Sequence, residues 1–73
     1  MKTTNDLIKI AAAGGGMTIS SQGKTTNDLI KVAAAASNKG ARIFITSANS
    51  LTTNDLIRVA AAGKGCVTFD LQN

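Results

Sequence analysis

Polar and apolar positions follow one figure that the chain draws three times. Each copy opens on two threonines, an asparagine and an aspartate, then runs Leu-Ile, a basic residue, a β-branched residue and several alanines. The copies start at Thr3, Thr25 and Thr52 and read TTNDLIKIAAAG, TTNDLIKVAAAA and TTNDLIRVAAAG. Repeats bounded at 3–24, 25–51 and 52–73 cover nearly the whole chain, which is taken as a single repeat domain over 1–73. The middle copy is the longest, with extra residues expected in both of its connections, Ser37 and Asn38 forming one insertion.

Each copy predicts a helix followed by a strand. Thr3, Thr25 and Thr52 stand three residues before Asp6, Asp28 and Asp55, the spacing of a capping box. In that motif each side chain satisfies a free backbone N–H at a helix start, although Asp is shorter than the usual Glu and leaves the second Thr of each copy as the alternative cap. The carboxylate also lies in the first turn, where the helix dipole favours negative charge. With about 100° of rotation per residue, Leu7, Ile8, Ile10 and Ala11 fall on one side and Lys9 opposite. The same holds for Leu29, Ile30, Val32 and Ala33, and for Leu56, Ile57, Val59 and Ala60. The alanine runs favour helix and leave room for close helix neighbours. Gly14, Gly40 and Gly63 stand where a left-handed residue ends a helix.

Short stretches of strand character follow at 17–20, 41–46 and 66–71. Helices alternating with strands predict a parallel sheet joined by right-handed crossovers. The expected fold is therefore α/β: three helix-strand repeats in a short solenoid-like parallel three-stranded sheet, with all helices on one face. A flavodoxin-like reordering of the strands is the alternative. The repetition has a physical reason, since one copy cannot bury its apolar flank and stacking like copies buries it.

With helices on one face, the other face of the sheet is left open. The strands alternate Arg42, Phe44 and Thr46 with Ile43 and Ile45, and Val67, Phe69 and Leu71 with Thr68 and Asp70. Either parity leaves a large apolar side chain on the helix-free face. Arg42, Phe44 and Phe69 are the expected interaction surface, with the two phenylalanines as anchors. No polar capping element is evident at either end, and an open strand edge invites pairing. A homo-oligomer follows, a two-fold dimer being favoured, or a complex with another protein.

Composition narrows the chemistry. The chain has no His, Trp, Tyr, Pro or Glu, one cysteine, and a net charge of +4. Without His or Glu, proton transfer has few candidates; three of the four Asp sit at helix starts and leave Asp70. Cys66 has no partner base and no partner thiol, which argues against a nucleophile, a metal site and a disulfide. No catalytic residue, cofactor or metal is expected. A lone thiol and no apolar leader or membrane span suggest a cytoplasmic protein. A chain this short buries only about 60% of its unfolded surface, so outside contacts would help it.

Lys9, Lys31 and Arg58 recur at one repeat position and would stack into a basic row, the basis of an alternative nucleic-acid reading. Against it stand i,i+3 pairing with Asp6, Asp28 and Asp55 and the lack of Tyr or Trp for base stacking. The glycines at 14–16 and 63–65 follow helix ends, so they do not form phosphate loops. The helix starts line the C-terminal ends of the strands, where a small-molecule binder or enzyme would place its ligand.

The units TTNDLIKIAAAG, TTNDLIKVAAAA and TTNDLIRVAAAGKGCVTFD resemble short bacterial proteins built of the same repeat, some of which carry the name limonene hydroxylase. The resemblance spans all three copies and implies a repeat family. The name would imply an oxygenase, for which this chain offers no haem, flavin or non-haem iron ligand set and no motif on which to place a catalytic residue. The leading expectation is a non-enzymatic repeat protein acting through protein contacts or self-association.

Overall fold

The computed structural model describes residues 2–72; Met1 and Asn73, which the expected domain span includes, lie outside the described residues. Its order is α1 (Thr4–Ala12), β1 (Met17–Ser20), α2 (Thr26–Lys39), β2 (Ile43–Thr46), a 3-10 turn (Ala48–Ser50), α3 (Thr53–Gly63) and β3 (Val67–Phe69). The strands pair in parallel in the order β1-β2-β3. Chain order and spatial order thus agree, without the reordering of a flavodoxin-like sheet. α2 lies between α1 and α3, and all three cover the face that carries Ile19, Ile43 and Ile45.

Identical starts give identical caps. Thr3, Thr25 and Thr52 are the N-caps, and each hydroxyl accepts from the backbone N–H of the Asp three residues on. In α1 and α2 the carboxylate completes the box by accepting from the cap N–H at 3.2 Å. At α3 the motif is limited to the Thr52 half, at 3.1 Å. Such a cap contributes about 0.5–2 kcal/mol.

The helix ends depart from a uniform pattern. α2 stops at Gly40, whose φ of 69° is the left-handed conformation that glycine adopts without a Cβ penalty. Gly63, expected to terminate α3, is instead its last helical residue and is buried. The left-handed position falls one residue later, on Lys64 at φ 50°. Gly63 meets a different need: a Cβ there would collide with the Val67 side chain and touch the Ala33 Cβ at 3.5 Å. Ser37 and Asn38 lengthen α2 itself rather than a connection. The second insertion forms the 3-10 turn.

The core is the seam between sheet and helices. Leu29, Val32, Ala33 and Ala36 of α2 join Leu7 and Ala11 of α1, Val59 of α3 and the isoleucines of the sheet. Each fully buried large side chain there contributes about 1.5–3 kcal/mol. The loops after β1 and β2 are tied together, the buried Ser21 hydroxyl donating to the Ser47 carbonyl at 2.7 Å.

Candidate interaction surface

The pleat decides what the helix-free face presents. Side chains alternate along a strand, so burial of Ile43 and Ile45 sends Arg42, Phe44 and Thr46 to the other side. Thr18, Phe44 and Thr68 stand in register across the three strands. Phe44 is 38% exposed at the centre of this row. Beside it lies a shallow depression of about 380 Å³ lined by Gly16, Met17, Arg42 and the row itself.

Phe69 does not belong to that surface. It pairs with Ile45 and therefore shares the parity of Ile43 and Ile45, packing partly buried against the core. The third strand gives Thr68 to the open face in its place. The apolar patch expected from two phenylalanines is one phenylalanine framed by threonines and Arg42. Leu71, 49% exposed, lies beyond the end of β3.

Lys9, Lys31 and Arg58 are exposed at equivalent positions on three adjacent helices. The carboxylates of Asp6 and Asp28 turn back to their caps, so the pairing expected with Lys9 and Lys31 gives way to capping. The Thr3 backbone N–H, followed by the Thr3 hydroxyl, holds the Asp6 carboxyl below its ordinary value, with Lys2 and Lys9 adding attraction.

The C-terminal ends of the strands carry less chemistry than their position promises. The three cap hydroxyls there are engaged by their own helices. A second depression, of about 170 Å³, lies near the start of α1 and is lined by Lys2, Leu7, Ile19, Ser20, Gln22 and Lys24. Asp70 accepts from the Gln72 N–H at 3.1 Å, and Cys66 is a free, partly exposed thiol. No group of three or more His, Cys, Asp or Glu that could hold a metal occurs among the described residues. No helix among them is long and apolar enough to cross a membrane.

Two exposed isoleucines complete the surface, and the sequence pattern misplaces both. Ile10 and Ile57 belong to the apolar stripe, yet they are 38% and 59% exposed. The signal that separates them from their buried or partly buried equivalents is their repeat's place in the row, which the stripe alone does not encode.

Fold and surface together define a small open α/β module: a three-stranded parallel sheet, helices on one face, and apolar groups left uncovered on the other face and at both ends. Compared with known proteins, the chain matches no family model, no curated protein and no solved structure.

Proposed function

We propose that this chain is a non-enzymatic repeat protein of the cytoplasm that acts through protein contacts, self-association first among them. One observation carries the reading: a 73-residue chain leaves Ile10, Phe44, Ile57 and Leu71 exposed, around a sheet whose two edge strands each pair on one side. Exposed apolar groups beside open strand edges are the features that association covers. The carboxylates of Asp6 and Asp28 are occupied at helix caps, which supports a binding role over a reaction.

Light scattering over a concentration series tests this, with average mass expected to rise with concentration. Each copy carries +4, so added salt should strengthen association by screening like charges. A monomer at every concentration and salt level would overturn the reading.

The exposed row of Lys9, Lys31 and Arg58 favours a second reading, nucleic-acid association through phosphates. Its salt response has the opposite sign. Binding of a fluorescent single strand should fall by about tenfold or more between 50 and 200 mM salt if several phosphates are contacted. Equal binding by a Lys9→Gln, Lys31→Gln, Arg58→Gln triple variant would eliminate it.

A further inference from the structure

Exposure at equivalent repeat positions carries direction. Ile10 of α1 corresponds to Val32 of α2 and Val59 of α3, both fully buried. Ala13 is exposed at the end of α1, while its counterparts Ala35 and Ala62 pack against the core. These positions face the preceding helix, and among the described residues no helix precedes α1. The deficit at the other end falls on different positions. Ile57 of α3 is exposed, while Ile8 and Ile30 pack against the core. Ala60 is exposed, whereas Ala11 and Ala33 are buried. These positions face the following helix.

The two bare flanks are therefore unlike and complementary. They are the two halves of a contact that the molecule already makes twice, between α1 and α2 and between α2 and α3. The sheet edges match in the same sense. Met17 N–H bonds to the Arg42 carbonyl and Ser21 N–H to the Thr46 carbonyl, so the alternation of a parallel ladder points the backbone groups of Thr18 and Ser20 outward. Asp70 N–H bonds to the Ile45 carbonyl, which by the same alternation points those of Val67 and Phe69 outward. The register Met17-Ile43-Val67 would continue from Val67 to Met17 of a second copy.

We infer that copies of this chain assemble head to tail, the α3/β3 end of one docking on the α1/β1 end of the next as a continuation of the internal repeat. The inference rests on the association reading above and names its partner and geometry. Such a contact is heterologous, in contrast with the two-fold dimer favoured from sequence, and it propagates rather than closing at two subunits. Assembly would also set the Phe44 side chains of successive copies in line along one continuous helix-free face.

Complementation tests it. Ile10→Glu spoils only the α1 end and Ile57→Glu only the α3 end. Each lowers the net charge from +4 to +3, which eases repulsion, so any loss of association comes from the contact itself. In sedimentation velocity each variant alone should associate at least tenfold more weakly than the parent. An equimolar mixture should form a 1:1 heterodimer and stop there, because each partner retains the end that the other lacks. Circular dichroism checks folding, and Ala13→Glu with Ala60→Glu repeats the test at exposed positions on the same flanks. Phe44→Glu should leave assembly unchanged. Loss of association in Phe44→Glu with both end variants unaffected would overturn head-to-tail assembly and keep the association reading. End variants that self-associate as well as they mix would overturn it too. A parent chain monomeric throughout would overturn both.

Discussion

The middle repeat and the two outer ones share nearly the same helix sequence and have different fates. In α2, Leu29, Val32, Ala33 and Ala36 are all buried. In α1 the stripe loses Ile10 to solvent, and in α3 it loses Ile57 and Ala60. The apolar stripe of such a helix is really three surfaces: a strip against the sheet and a flank toward each neighbour. Only the middle helix has all three covered. Stability in a stacked array is carried by neighbours as much as by the repeat itself.

Breaking that contrast starts with the leucine common to all three copies. Leu29→Ala should cost about 2–5 kcal/mol, because the site is enclosed on every side. That is a large part of the stability of a domain this small. Leu56→Ala, at the partly exposed equivalent, should cost about 1 kcal/mol. Denaturant midpoints measure both, and equal losses would show that the flanks do not differ.

A second contrast lies at the last helical contact. Gly14, Ala36 and Gly63 occupy one repeat position. α2 buries an alanine there because its helix continues to Lys39 before the strand begins. α3 turns at once into β3, and Val67 fills the space. Gly63→Ala should destabilise by about 1–3 kcal/mol through overpacking, and Gly63→Ala with Val67→Ala should recover part of it. Thermal melts of the single and double variants decide the point.

The caps give smaller effects. Thr25→Ala should cost about 1 kcal/mol. Asp28→Ala should cost more than Asp55→Ala, because only the Asp28 carboxylate also accepts from its cap backbone N–H. For Asp6 the folded-state value lies below the ordinary 3.8, so its contribution is present at neutral pH and lost as pH falls from 3.8 through that lower value. Melting temperatures measured from pH 6 to pH 2.5 should therefore fall less in Asp6→Asn than in the parent.

Much of this was legible in the letters. The capping threonines, the helix-strand alternation, the parallel sheet and the single-sided helices follow from local spacing and from the handedness of crossovers. Phe69 shows where legibility stops. Its strand alternates cleanly, but alternation defines two parities without saying which one meets the helices. That assignment came from the ladder, which pairs Phe69 with Ile45. Gly63 shows it again: a glycine after an alanine run signals a turn, whereas the packing of Val67 made it a contact.

What the sequence determined by itself is the repeating unit, because caps, helical faces and strand pleats are set by residues within a few positions of one another. What only the tertiary structure decided is which flank of each unit is covered, because coverage depends on the neighbour and identical segments have different neighbours. Ile10, Val32 and Val59 make the case: one position, written three times, open to water once and sealed twice.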